Sequence, residues 1–493
     1  MIWKIAKKDF LLNLMTFKFA VGTILCVVLM AVFVPILGKA YQERLKTYNE
    51  NVAYNEAELR KVTVYKNITP TIYRPPSVLA VFSEGLEKQL GNSATIQYDD
   101  VPEISPATAN HYLSIFSIFD ASLIFKIIIS VLALLVAYDA ISGERERGTL
   151  RLTLSSTAAR YQVLLGKLLA GMLVLIVPVT IAFIMGLIIL LSFPMVDLTG
   201  SDWVRFGFMF IASLVFVATM YNLGLLFSCL ARRSAISLVL ALFLWILFVV
   251  VIPNGSVYLA TQIRAVEPEE KINEQIALLR REVQREFRME MQRSGRSYMS
   301  GSTSTSDVVG KGGFGHGYIR SCNEVLMHNL LLNYSTGVPI QIKYSNKYSE
   351  IEYGYLRSLF EQTRLADNLA RTSPISLYEN VMSALAGTDM VSFRQFIDAV
   401  KAHRNDIIEY MRSRTNNFSS SSFFTPCTEE EMKTRPNTDD APPLELHDLP
   451  RFSYKADIVG ILRRVIPDLE LLILGNVLFF ALALAAFQRY DVR

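Results

Sequence analysis

Six mostly apolar runs, each near the length of a membrane crossing, limit this chain more than any other feature. They lie at 19–37, 123–141, 168–193, 206–230, 236–252 and 469–487. A helix needs about 20 apolar residues to cross a hydrocarbon core of roughly 30 Å. Inside that core every backbone N–H and C=O must be satisfied by the segment itself, and an unbroken apolar run of this length does so as a helix. Composition agrees, with 51% hydrophobic and 19% charged residues. The first run is too long for a cleaved leader, and "VPILGKAYQ" offers no small-residue cleavage site, so it is expected to persist as a span.

Orientation follows from where Lys and Arg fall in the short loops. Lys4, Lys7, Lys8 and Lys18 precede the first run; Arg145, Arg147, Arg151, Arg160 and Lys167 separate the second from the third. Arg232 and Arg233 separate the fourth from the fifth, and Arg489 and Arg493 follow the sixth. These all fall on one side, whereas "PMVDLTGSDW" between spans three and four carries two Asp and no Lys or Arg. Both termini are therefore expected in the cytoplasm.

The expected fold is an all-α polytopic membrane protein with six transmembrane helices. A large, mainly helical extracytoplasmic domain is formed from the loops after spans 1 and 5. In order, the chain divides into an amphipathic cytoplasmic helix (1–16), span 1 (17–38), an outer segment (39–122), span 2 (123–141) and a cytoplasmic loop (142–167). Spans 3, 4 and 5 follow (168–193, 206–230, 236–252), then a second outer segment (253–468), span 6 (469–487) and a cytoplasmic tail (488–493). Within span 2, Lys126 is expected to snorkel to the outer surface and Asp139 to sit at the inner end.

In the outer segments, Tyr41, Leu45, Tyr48, Val52, Leu59 and Val62 form a heptad-like stripe broken only by Asn55, which predicts that the first helix continues outward as a stalk. Ile272, Ile276, Leu279, Val283 and Phe287 predict a second long helix. The two either lean together or pack separately on the rest of the domain. A helix is predicted from Ser373–Pro374 to Gly387, and another from the apolar spacing of Phe393, Phe396, Ile397, Val400, Ile407, Ile408 and Met411. A Ser/Thr/Gly-rich stretch, 294–317, and a second polar stretch, 416–443, read as mobile loops.

Catalytic signatures are missing. His111, His316, His328, His403 and His447 lack zinc-site spacing, and neither H-E-x-x-H nor G-x-S-x-G occurs. Gly310, Gly312 and Gly315 fit G-x-G-x-x-G without the preceding apolar strand that motif needs. Gly166–Lys167 and Gly310–Lys311 both fail the G-x-x-x-x-G-K-[ST] pattern, so the chain is not expected to hydrolyse ATP or act as an enzyme by itself. No cofactor or metal is expected in it, and a net charge of only +4 gives no field for nucleic acid. Cys26 and Cys229 fall in spans; Cys322 and Cys427 fall in the outer segments, where oxidising conditions permit a disulfide without requiring one.

The most unusual local feature is "SGERERGTLRLTLSSTAARYQVLLGK", in which Glu144, Arg145, Glu146 and Arg147 crowd against Gly148 directly after an apolar run. Charges facing water beside Leu150, Leu152 and Leu154 would make an interfacial docking element. The simpler alternative is an anchor for helix ends at the lipid head groups. This stretch resembles the segment between spans two and three of ABC-2 type transporter permeases, through Glu144, Arg145, Gly148, Thr149, Leu150, Ser155, Arg160, Gly166 and Lys167. "YRPPSVLAVFSEGLEKQLG", "SPISLYENVMSALAGTD" and the terminal "FQRYDVR" resemble the branch of that family with large outer insertions.

The resemblance implies an exporter permease in the inner membrane of a prokaryote, paired with a second permease copy or paralogue. It also implies two cytoplasmic ABC ATPase subunits that carry ATP and Mg. The loop at 142–160 and the N-terminal helix would contact the ATPase. Glu144, Arg145, Glu146 and Arg147 then serve as charge partners, Gly148 as hinge, Thr149 beside it, Leu150 or Leu152 as apolar anchor, and Arg160 at the loop's end. Trp3, Lys4, Lys7, Lys8 and Phe10 would set the N-terminal helix in the lipid interface. A second reading has no solute crossing, with ATP-driven motion passed through the stalk to an extracytoplasmic partner. A third, a membrane-bound enzyme, lacks any convergent catalytic group.

Overall fold

The computed structural model describes residues 2–87, 90–105, 121–150, 159–293, 308–311, 317–321, 323–434, 441–454 and 457–489. A short helix α1 (Ile2–Leu14) precedes α2 (Phe17–Leu59), with Thr16 capping the second by accepting from the Phe19 amide. Four more long apolar helices follow: α3 (Ile124–Glu146), α4 (Arg160–Leu191), α5 (Gly200–Leu230) and α6 (Ser234–Ile263). Then come α7 (Glu269–Arg293), α8 (Glu324–Ala370), α9 (Pro374–Ala386), α10 (Met390–Arg414) and α11 (Ile458–Gln488). Helices α2 to α6 and α11 are the six long and apolar enough to cross a membrane, as the apolar runs require. Strands are few among the described residues. β1 (Thr71–Tyr73), β2 (Ser93–Thr95) and β3 (Glu103–Ser105) form an antiparallel sheet with Ala94 opposite both Ile72 and Ile104, and β4 (Val308–Lys311) pairs β5 (Gly317–Ile319).

Helix α5 is the central post. Its buried face runs from Met209 to Cys229, and α11 packs along it, with Asn222 donating to Asn476 and Thr219 Oγ1 donating to the Leu472 carbonyl at 3.3 Å. Close approach elsewhere depends on missing side chains. A Cβ on Gly171 of α4 would lie 2.1 Å from the Tyr221 ring, and one on Gly224 would lie 2.7 Å from Ala137. Small residues and interhelical hydrogen bonds hold such bundles, because lipid removes most of the hydrophobic incentive for helices to associate.

Helix α2 has 43 residues, or about 64 Å at 1.5 Å per residue, twice the hydrocarbon thickness. It therefore projects beyond the bundle. Asn55, the break in its apolar stripe, accepts a hydrogen bond from the Thr71 amide at 2.9 Å and so anchors β1 to the helix. The second predicted long helix, α7, takes α8 as its main partner: Phe287 fills the space over Gly337, and Glu286 accepts from Lys343 at 2.8 Å and Tyr344 at 2.6 Å.

Helix α9 starts and stops as its sequence predicts. Ser373 caps it by accepting from the Ile375 amide at 3.2 Å, and Gly387 closes it at φ +73°. Its location is the surprise: it is wedged into the end of the bundle opposite α1. Tyr378 stacks on Phe216 at 4.4 Å and shares a 3.0 Å hydrogen bond with Ser213, deep on α5. Ser373 Oγ also donates at 2.8 Å to the carbonyl of Phe248, inside a wide π-helical turn (Leu247–Val251) of α6. Such a turn breaks the regular backbone ladder, and a hydroxyl from a neighbouring helix supplies the lost partner. Lys126, near the start of α3, pairs with Glu379 of α9 at this same end of the bundle.

The stretch 416–443 also departs from the mobile-loop expectation in its first part. Asn416, Asn417 and Phe418 take consecutive positive φ angles of 47°, 57° and 63°, and Phe418, Phe423 and Phe424 are completely buried. The three rings join Val62, Ile68, Met327, Ile407 and Met411 in the core of the non-spanning domain. Hydrophobic burial by three Phe outweighs the loop-forming character of the four serines between them. Residues 435–440, most of 294–317 and Cys322 lie outside the described residues.

Candidate functional site

At the end of the bundle opposite α9, the charged run, the N-terminal helix and the Gly–Lys pair meet. Gly166 lets α1 lie directly on α4, since a Cβ there would come within 3.0 Å of Ile5. One turn further along α1, Asp9 turns into the same contact. Lys167 Nζ donates to Asp9 Oδ2 at 3.0 Å and to Glu144 Oε1 at 2.8 Å, with all three side chains nearly buried. Two carboxylates around one ammonium leave a formal charge of −1, and Glu144 Oε2 is buried without a hydrogen-bond partner. The backbone carbonyl of Lys167 accepts from the Tyr221 phenolic hydroxyl at 2.8 Å, which ties the triad to α5.

The rest of the run ties down helix ends. Arg145 donates at 2.8 Å to the carbonyl of Ala231, at the C-terminus of α5, where carbonyls have no partner within the helix. Glu146 accepts from Ser234 Oγ at 2.6 Å, at the start of α6. Arg147 donates to the Gly143 carbonyl at 3.1 Å within its own turn and is exposed. Arg160 donates to the last carbonyls of α11, Phe487 and Gln488. Ser228 Oγ accepts from the amides of Ile141 and Ser142 at 2.9 and 3.0 Å. Lys18, at the start of α2, pairs with Asp139 at 2.9 Å and with the Tyr138 hydroxyl.

The expectation that all four charges face water is thus corrected for two of them. Glu144 and Arg145 turn inward, because a buried lysine and an uncapped helix end lie within reach; Glu146 and Arg147 stay exposed. Gly148 takes φ +73° in open space, so it is a left-handed cap that a side chain would strain. Thr149 is exposed beside it, with its hydroxyl donating to the Glu144 carbonyl at 3.3 Å, whereas Leu150 is fully buried in this chain's own core. Leu152 and Ser155 lie outside the described residues. On α1, Trp3, Lys4, Lys7 and Lys8 face outward with Leu11 and Leu12, and Phe10 packs against the bundle. Asp9 escaped the sequence reading. The signal was present: it shares the stripe of Ile2, Ile5, Ala6 and Asn13, on the side away from the lysines. Cys427 is partly buried and forms no disulfide among the described residues, and Cys322, with which a bridge was possible, is not among them.

A family model described as ABC-2 family transporter protein matches residues 3–492. The chain belongs to the ABC-2 transporter family. Among its relatives, a "Probable ABC transporter permease protein NosY" of Stutzerimonas stutzeri is 40% identical over 125 residues, 24% of this chain and 44% of the relative. The protein of the same name from Pseudomonas aeruginosa is 39% identical over 123 residues, 24% of this chain and 43% of the relative. The chain thus spans less than half the length of each. As an ABC-2 permease it is a multi-pass transmembrane subunit of the ABC transporter type; such permeases are not catalytic by themselves and depend on an ATPase subunit.

Proposed function

We propose that this permease belongs to an ATP-driven exporter of the inner membrane of a prokaryote, with the α1 end of the bundle in the cytoplasm. Two ABC ATPase subunits, holding ATP and Mg, grip that end, and a second permease copy or paralogue completes the membrane portion. The Asp9–Lys167–Glu144 triad carries the reading, because it joins the two elements a docked ATPase would touch, the N-terminal helix and the loop at 142–160, to the spanning helix α4. The hydrogen bonds of Arg145, Glu146 and Arg160 extend that connection to the ends of α5, α6 and α11. Displacement of the 142–160 loop on nucleotide binding is then passed to four spans at once, and coupling arises from different contacts in the two ATPase states.

In this reading Glu144 and Arg145 position the loop, while Glu146, Arg147 and Thr149 present it. Glu146→Arg combined with Arg147→Glu should lower substrate-stimulated ATPase activity of the reconstituted complex while leaving membrane insertion intact. Full stimulation in that variant would remove the docking role.

The length of α2 supports a second reading, in which motion is passed to an extracytoplasmic partner without solute transport. Sealed vesicles separate the two: ATP-dependent change in lumenal content supports export, and partner remodelling with unchanged content supports transmission.

A further inference from the structure

Where α9 enters the bundle, it leaves a cavity of ≈ 790 Å³ walled by α8, α9, α10, α11 and the loop around Ser83–Leu86. Its volume falls in the range of sites for small organic ligands, far above what a bare inorganic anion fills. Its lining includes Asp468, the residue immediately before the apolar run at 469–487, so it lies at the end of that apolar run.

The lining contains four arginines and four carboxylates, and not all of them pair with one another. Arg371 pairs with Asp468 at 2.8 Å, and Arg464 pairs with Asp389 at 2.7 Å. Glu379 is taken by Lys126, from outside the cavity. Arg364 then has no carboxylate within ion-pair distance among the described residues, and Arg394 has only Asp398, at 3.9 Å on its own exposed surface. Asp367 is the one remaining acid, so the wall is neutral with every group ionised and carries one positive charge when Asp367 is protonated. Asp367 faces the cavity, but the protein crowded around it, reinforced by Asp468 and Asp389, pushes its carboxyl up to about 6 despite Arg371. Its negative charge is accordingly the easiest of the set to withdraw.

We propose that this cavity binds the phosphate-bearing head group of an organic ligand, with Arg364 and Arg394 as the anion-binding pair. Planar guanidinium groups on two different helices, both lacking a strong internal partner, suit a phosphate better than a point charge does. The source is either a soluble phosphoester or a lipid head group.

Binding is read on the full chain in detergent without nucleotide, so the outcome is independent of ATP coupling. Glycerol 3-phosphate against glycerol, by microscale thermophoresis, tests the soluble source. Phosphatidylglycerol against diacylglycerol, by native mass spectrometry, tests the lipid source. Preferential binding of either phosphate-bearing probe is expected, weakened about tenfold or more in R364Q/R394Q, which removes both charge-assisted contacts. Each single variant should lose about threefold, so misfolding of the double leaves the test intact. R281Q/R285Q, which removes the same charge from exposed positions on α7, should change nothing. No preference for either phosphate-bearing probe, or binding by the single and double cavity variants as strong as by the unaltered chain, overturns the proposal.

Discussion

Replacing Lys167 with Met should damage this protein far more than replacing either of its acidic partners, and the size of the difference follows from the triad's geometry. Two contacts of 3.0 and 2.8 Å correspond to roughly 5–6 kcal/mol of gross attraction each at an effective dielectric of about 20. Much of that is offset by desolvation of three charged groups, several kcal/mol per ion, and by repulsion between the two acids. The net worth of the triad is therefore small, but removing its cation leaves Asp9 and Glu144 buried together with nothing between them. Lys167→Met should cost about 3–5 kcal/mol, the usual penalty for orphaning a buried charge. Asp9→Asn leaves the Lys167–Glu144 pair intact and should cost about 1.5–3 kcal/mol, one charge-assisted hydrogen bond. The uncharged triple variant Asp9→Asn, Glu144→Gln, Lys167→Met should recover much of the Lys167→Met loss, because no unpaired charge remains. Reversible unfolding by SDS in mixed micelles measures all three. A Lys167→Met penalty no larger than that of Asp9→Asn, together with no recovery in the triple variant, would refute this account of the triad.

Three further outcomes are expected. Gly171→Ala places a methyl 2.1 Å from the Tyr221 ring and should destabilise by about 1–3 kcal/mol, detected as a lower unfolding midpoint in the same micelles. Gly148→Ala, at φ +73° with open space around it, should cost only about 1–2 kcal/mol of local backbone strain and leave insertion unchanged, as protease mapping of membrane vesicles would show. Asp367 has a folded pKa raised to about 6 from the ordinary 3.8, so the fold holds its proton more tightly than the unfolded chain does. Stability should therefore fall as pH rises from about 4 to 6, with the penalty fully present above 6. Asp367→Asn should flatten that part of a plot of unfolding midpoint against pH.

The spans were legible because burial in lipid demands long uninterrupted apolar runs, and nothing distant alters that demand. Helix α9 was legible for local reasons: Ser373, Pro374 and Gly387 are start and stop signals within its own few residues. That it inserts beside Phe216 was not, since the contact joins residues more than 150 positions apart. The same distance hid the triad, in which Lys167 and Asp9 are separated by 158 positions. The charged run was read as facing water because flanking charge is common at any membrane boundary. Only the fold shows that Arg145 meets an uncapped helix end and Glu144 a buried lysine. In the loop after α10, serine content suggested mobility, while Phe418, Phe423 and Phe424 were closing a core whose other half comes from the segment just after α2 and from α8 and α10.

Cysteine placed at exposed Arg147, in a background without Cys26, Cys229, Cys322 and Cys427, tests the central claim most directly. Cross-linking to a co-expressed ABC ATPase, with protection from a membrane-impermeant maleimide in intact cells, is the predicted result. Labelling of that cysteine from outside the cell, with no ATPase adduct, would place this end of the bundle on the wrong side and contradict the account.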